Sequence, residues 1–485
     1  MDSAVTLDPR RWKALAVLGI AYLMVVLDVS IVNVALPSIQ TDLGFSPSDL
    51  QWVVSGYALT FGGLLLLGGR AGDILGRRTI FMIGLALFAA FSLLCAVSQS
   101  DTMLIVARLL QGAAAAVLAP SVFSIVTVTF REGADRNKAL GILGAIAGSG
   151  AAIGVLAGGF LTEYLGWEWV FWVNVPIGLV TLLFVPRFVR ESKVEGMARN
   201  FDALGAVTVT GSLMLLVFGL TRANQVGWTS SETIGVLIAS AVLMAVFLVT
   251  EHRSRYALMP LSFFKRRTPT GANIVGLVLG TVVFGMFFLL SLYQQQVLGY
   301  SAVQTGVGYL AVALTAIVAS GAAQALVTRI GVKPCLAFGM LCTLGGLLWF
   351  TQISTDGTYF ADLFGGFMLV GVGLGFSFVP VSIAALAGIP PREAGLASGL
   401  INTSQQIGGA LGVAILTTVA TSHTDTLLAD GDSQPTALTG GFALAFWVAA
   451  AFAAAGVIAT FVTLRNEDLA ATEGEKEAEE AAVAG

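Results

Sequence analysis

Residues 12–37 read WKALAVLGIAYLMVVLDVSIVNVALP. Between Lys13 and Pro37 the only charged side chain is Asp28, and the run is long enough to cross a hydrocarbon core of ~30 Å at about 1.5 Å per helical residue. Similar runs recur as far as Leu464. The 485 residues are 56% hydrophobic and 11% charged, with a mean hydropathy of +0.86. A water-soluble domain draws roughly a quarter of its residues from Asp, Glu, Lys and Arg, so lipid is the solvent for most of this chain. Lipid offers no partner to backbone N–H and C=O groups, which leaves helices or closed barrels, and these runs are too long and too evenly apolar for barrel strands. The expected fold class is an all-α polytopic membrane protein.

Spans are predicted over residues 12–34, 50–69, 79–98, 102–128, 139–164, 169–188, 203–221, 231–250, 271–296, 303–328, 335–353, 358–383, 394–420 and 439–463. The first is full length, follows Arg10, Arg11 and Lys13, and lacks a small-residue cleavage site, so it is expected to stay as a span. With the N-terminus inside, every Lys and Arg among the 25 except Arg108 and Arg222 falls in an inner segment, the partition that the positive-inside rule requires. One span missed or invented in the middle would destroy that pattern, because every later loop would change sides. An even count of fourteen follows, with both termini cytoplasmic, in a bacterial inner membrane. The net charge of −4 is small, and much of the acid lies between Glu467 and Glu480, a stretch that reads as a disordered tail. Cys95, Cys335 and Cys342 lack His or Asp neighbours at ligand spacing and read as packing residues.

An ionisable side chain at membrane depth is expensive and therefore a functional candidate. Two lie well inside their spans, Asp28 and Arg108. Span one runs outward and span four inward, and each residue sits about six residues from the outer end, so the two share a depth. Burial disfavours an ionised carboxylate and a neighbouring guanidinium favours it, which is the balance a proton switch needs. The competing reading is a static ion pair that fixes helix packing. Gln111 lies three residues after Arg108 on the same helical face and is a candidate for the same cavity. Asn33 points elsewhere and reads as packing. Gln294, Gln295 and Gln296 at the end of span nine read as interfacial. Asn402, Gln405 and Gln406 in span thirteen are further cavity candidates. Gly150, Gly154 and Gly158 recur every four residues beside Gly159, which puts a groove for another helix on one face of span five.

Internal echoes place spans two, four and five opposite ten, twelve and thirteen. Leu75-Gly76-Arg77-Arg78 pairs with Ile330-Gly331-Val332-Lys333, Gln111-Gly112 and Pro120 with Val370-Gly371 and Pro380, and Arg136 with Arg392. The expected organisation is a cytoplasmic N-terminus (1–11), a six-helix bundle (12–200), two inserted helices (201–252), a second six-helix bundle (253–464) and an acidic cytoplasmic tail (465–485). Four motifs then stand out: LDVSIVNVALP at 27–37, GRAGDILGRR at 69–78, RLLQG at 108–112, and the span-five glycines followed by WEWVFWVNVP at 167–176. Together they resemble the major facilitator superfamily, and within it the fourteen-helix drug:proton antiporter family.

The resemblance implies two six-helix bundles with two inserted central helices, proton coupling at Asp28 and Arg108, and a cytoplasmic gate at Gly69, Asp73, Gly76, Arg77 and Arg78. Simple positive-inside anchoring is the plainer account of those basic residues. The family's fifth span usually reads GxxxGP. Here Gly150 and Gly154 are followed by Val155, a departure at a proline associated with exporters as opposed to importers.

The expected function is proton-coupled antiport that exports lipophilic neutral or monocationic small molecules by alternating access. The alternative is a proton-coupled importer or exporter of a specific metabolite. Members of the family it resembles that take dications tend to carry a further acid in span ten, and here that span offers Gln324 and no acid, so the resemblance implies substrates other than dications. No Gly-Lys-Ser or Gly-Lys-Thr occurs, so ATP is not the expected fuel. No HExxH and no facing Ser and His pair occurs, so an enzyme is not expected. No cofactor or metal is expected beyond the proton gradient. The expected partners are a small-molecule substrate, protons and the lipid bilayer, without nucleic acid, and the expected state is a monomer.

Overall fold

The computed structural model describes residues 10–130, 134–193, 202–254, 261–389 and 394–465. The N-terminal segment before residue 10 and the acidic tail after 465 lie outside them, as does the side chain of Asp73. Among the described residues there are helices and turns and no strand. Fourteen long helices follow in order. They are α1 Arg11–Leu43, α2 Trp52–Leu75, α3 Arg77–Ala96, α4 Asp101–Thr129, α5 Ala134–Leu165, α6 Asn174–Phe188, α7 Ala203–Val226, α8 Ser231–Arg253, α9 Arg267–Leu292, α10 Leu310–Ile330, α11 Val332–Phe350, α12 Gly365–Leu386, α13 Ala394–Ala429 and α14 Gln434–Thr463. Among the described residues, thirteen stretches are long and apolar enough to cross a membrane; α6 reaches that length only with the one-turn helix before it, as Trp169–Phe188, and in α5 the apolar stretch Ala152–Leu165 continues a 32-residue helix.

Helix ends follow local chemistry. The first run was expected to end near residue 34, yet α1 continues to Leu43 through Pro37. It stops where Gly44 turns left-handed at φ 67° and returns its N–H to the Gln40 carbonyl, a cap that a residue without Cβ makes cheaply. Beyond it the Trp167 indole donates to Asp42 at 2.9 Å, fixing the far end of α1 to the turn before α6. Basic side chains meet the carbonyls orphaned at other helix ends. Arg136 donates to the Thr127 and Phe130 carbonyls at the end of α4, and Lys333 donates to the Phe461 and Leu464 carbonyls at the end of α14.

The chain divides into two compact units, Met1–Met214 with Ser301–Val307, and Leu215–Tyr300 with Gly308–Gly485. In the first unit α1 packs on α5 and α6, α2 on α4, and α3 on α4 and α6. In the second, α9 packs on α13 and α14, α10 on α12, and α11 on α12 and α14. The pairing is the same at an interval of eight helices. Between lipid-embedded helices there is no hydrophobic driving force, so close packing must supply the attraction. Small residues provide it. A Cβ on Gly158 of α5 would sit 2.6 Å from the Ile31 carbonyl of α1, and one on Gly150 would sit 2.9 Å from Val26. Gly154 lies against Ser30 in the same groove, and Gly159 against Ala302. Gly280, Gly408 and Gly412 make the equivalent approach between α9 and α13. The outward faces carry bare apolar side chains such as Leu183, Val318 and Ile458, which is the normal surface of a protein whose solvent is hydrocarbon.

Candidate functional site

Asp28 of α1 and Arg108 of α4 meet inside the first unit. Arg108 Nη1 donates to Asp28 Oδ2 at 2.6 Å. The two residues are 0% and 1% exposed, so the carboxylate faces the interior of the bundle and not lipid. A buried pair of this kind is tolerable only when its remaining valences are filled, and here they largely are. The Arg108 Nε donates to the Val53 carbonyl of α2 at 2.9 Å, and Nη1 also donates to Gln111 Oε1 at 2.8 Å. The guanidinium carbon lies 4.3 Å from the centre of the Tyr57 ring and 5.6 Å from that of Phe171, where the ring faces favour a cation.

The other carboxylate oxygen is held by neutral amides. Gln111 Nε2 donates to Asp28 Oδ1 at 2.8 Å and Asn174 Nδ2 donates to it at 3.0 Å. Both amides also donate to Ser92 Oγ of α3, at 3.1 and 3.0 Å, and the Ser92 hydroxyl itself donates to the Phe171 carbonyl at 3.0 Å. The Cys95 thiol donates to Gln111 Oε1 at 3.4 Å. Side chains from α1, α3, α4 and α6 thus form one hydrogen-bonded cluster around the carboxylate, with the Tyr57 ring of α2 against the guanidinium, all of them buried.

Depth counting brought Asp28, Arg108 and Gln111 together, and it passed over Asn174, Ser92, Cys95 and Tyr57. The same count could have found them. Ser92 is about six residues from the outer end of its predicted span, Asn174 about five and Tyr57 about seven, which puts all three in one layer with Asp28. Hydropathy hid them because none is charged.

The remaining candidates lie elsewhere. Asn402, Gln405 and Gln406 are on α13 in the second unit. The exposed Asn402 amide donates to its own helix at Ser398 O, and Gln405 packs at Gly276 of α9. Gln406 Oε1 is buried without a hydrogen-bond partner among the described residues. Asn33 donates to the Val29 carbonyl of its own helix. Gln294, expected at an interface, is instead fully buried and donates to the Leu290 carbonyl, because the helix continues past Leu292 as a π-helical turn, Tyr293–Val297, that carries it inward.

At the other end of the first unit, Gly76 breaks between α2 and α3 at φ 114°. Its missing side chain makes room for Glu191, whose carboxylate would lie 2.9 Å from a Cβ there. Glu191 accepts from the Arg78 and Thr79 N–H groups at 3.0 Å each and from the Thr79 hydroxyl at 2.6 Å, capping α3 from beyond α6. Partial burial works against its charge, but these bonds and one from the Ser192 N–H hold the Glu191 carboxyl below the usual range. Arg78 lies 3.9 Å from the same carboxylate, the Arg77 N–H donates to the Ser192 carbonyl, and Gly69 packs at Pro120 of α4.

Among the described residues no three His, Cys, Asp or Glu side chains are grouped as metal ligands. The site is a buried charge pair held in a layer of amide, hydroxyl and thiol groups.

The family profile described as Major Facilitator Superfamily matches residues 18–413. The chain is 39% identical over 458 residues to the puromycin resistance protein pur8 of Streptomyces alboniger, covering 94% of this chain and 91% of that one. It is 38% identical to the cephamycin export protein CmcT of Amycolatopsis lactamdurans, covering 85% of each. Among solved structures, a bacterial homologue of the human lysosomal transporter Spinster aligns over 94% of this chain and 98% of its own at a TM-score of 0.65 and 15% identity, a likeness of fold. With the family profile matched over most of its length, relatives above 30% identity, and long helices among the described residues that repeat one packing plan in two units, the chain belongs to the Major Facilitator Superfamily and is a multi-pass membrane transporter, not an enzyme.

Proposed function

We propose that the chain exports lipophilic neutral or monocationic small molecules in exchange for protons, as a monomer in a bacterial inner membrane with both termini cytoplasmic. The observation that carries the reading is the Asp28–Arg108 pair, buried at membrane depth and joined at 2.6 Å. A proton on Asp28 removes the counter-charge of a guanidinium that cannot itself be neutralised. Breaking a buried pair in this way costs about 3–5 kcal/mol. Proton loading is therefore tied to a rearrangement that brings water or another partner to Arg108, and that dependence is what couples a proton to alternating access. A proton crossing ~100 mV releases about 2.3 kcal/mol, enough to hold roughly a fiftyfold substrate gradient.

Export is supported by the relatives, which carry the names of resistance and export proteins. The substrate class rests on a single acid in the site and on α10, which has no acid and offers Gln324 as its amide. Ethidium efflux from energised cells tests the reading. Cells carrying the natural chain should lose dye faster than cells without it, a protonophore should abolish the difference, and Asp28→Asn should match the empty control. Efflux that survives both treatments would remove the coupling scheme, and net dye accumulation would turn the direction to import.

A further inference from the structure

Every hydrogen-bonding position of Gln111 is used. Its Nε2 donates to Asp28 and Ser92, and its Oε1 accepts from Arg108 and Cys95. Asn174 differs. Its Nδ2 serves Asp28 Oδ1 and Ser92, but its Oδ1 is buried with no hydrogen-bond partner among the described residues, an arrangement that native interiors rarely tolerate without a reason. We infer that Asn174 is a positioning residue for proton exchange at Asp28, the amide that turns to accept the O–H once the carboxyl binds its proton. The inference deepens the proton-coupled reading and rests on it.

The geometry narrows the choice of oxygen. Loading Oδ2 would break the 2.6 Å charge-assisted bond to Arg108. Loading Oδ1 requires only one neutral amide donor to withdraw, and Gln111 is tied at both ends. A half-turn of the Asn174 amide exchanges Nδ2 for Oδ1 and converts a donor to the carboxylate into an acceptor from the acid. The number of unpaired atoms on Asn174 does not change. Ser92 follows by turning its hydroxyl from the Phe171 carbonyl to Asn174 Oδ1. One proton from water joins Oδ1, and no covalent bond within the protein breaks. The other titratable or charged groups facing Asp28 are Arg108 from α4, Tyr57 from α2 and Cys95 from α3. The segment that carries Phe171 and Asn174 brings no charge. Asn174 is thus the member of the shell free to follow the proton.

The test is an infrared pH titration of the full-length protein in nanodiscs, following the carboxylic C=O band that is absent from Asp28→Asn. Bonds to a charged group are about twice as strong as neutral ones, so losing the amide should favour the acid. Asn174→Leu is expected to move the midpoint upward by about one pH unit, a tenfold change in proton affinity. Asn174→Ala is expected to do the same where Leu is not accommodated. Asn174→Ser, whose hydroxyl can donate or accept, should stay close to the native midpoint. If the native band titrates while Leu and Ala leave its midpoint in place or lower it, the role of Asn174 is overturned and proton coupling stands. If the native band never titrates, proton coupling falls and this inference falls with it.

Discussion

Replacing both partners of the Asp28–Arg108 pair should cost less than the sum of replacing each alone. At 2.6 Å and an effective dielectric of ~20, the mutual attraction is about 6 kcal/mol before desolvation is counted. Measured costs for removing one member of a buried pair run to about 3–5 kcal/mol. Asp28→Asn leaves a guanidinium that cannot lose its proton, still held by the Val53 carbonyl, Gln111 Oε1 and the Tyr57 ring. It should fall in that range. Arg108→Gln leaves a carboxylate that can escape its charge by binding a proton, so it should cost less. The double variant Asp28→Asn with Arg108→Gln should recover at least ~2 kcal/mol relative to the sum of the singles. A chain of this length unfolds with an entropy of roughly 1 kcal/mol/K, so the Asp28→Asn melting point should drop by about 3–5 °C, and the double variant should sit above the sum of the two single shifts. Thermal unfolding of the purified protein in one detergent reads this directly, with efflux measured in parallel and expected to be lost in all three variants. Additive single costs, or Arg108→Gln proving the more damaging, would refute the claim that these residues form a coupled buried pair.

Two further outcomes follow from the packing and the cap. Gly158→Ala places a Cβ 2.6 Å from the Ile31 carbonyl and should destabilise the protein by about 1–3 kcal/mol, whereas Gly144→Ala meets open space and should be neutral or stabilising by up to ~1 kcal/mol; equal melting points would discredit the packing account. Because the folded Glu191 carboxyl is held below its ordinary value, its stabilisation of α3 is fully present above about pH 4.3 and is lost as pH falls through the lower folded value. Protection of the Arg78 and Thr79 amides, taken relative to their intrinsic exchange rates at each pH, should fall only below that pH in the natural protein, and should already be reduced at neutral pH in Glu191→Ala.

Hydropathy and charge placement are properties of long windows, so fourteen helices and the depth of Asp28 and Arg108 are legible in the chain. A rise of about 1.5 Å per residue turns an index into a height in the membrane, and oppositely directed spans can be compared before anything is known of their packing. What such counting lacks is azimuth. Nothing in the sequence says which face of α3 turns toward α1, so Ser92 and Cys95 look like any small residue in an apolar run. The Glu191 cap was illegible for a different reason. It joins groups more than a hundred residues apart through backbone N–H donors, which no motif encodes, while the visible half of the arrangement, Gly76 before Arg77 and Arg78, reads as a loop signature. Gly76 is then explained by two demands at once, a backbone at φ 114° and space for a carboxylate that belongs to another segment. The same logic applies to Asn174. It stands just after the one-turn helix Trp169–Trp172, at the first position of α6, about five residues inside the predicted span 169–188, with no charge to mark it. In the folded chain that position is at the depth of the carboxylate, so a residue that looks like punctuation supplies a hydrogen bond to the buried charge.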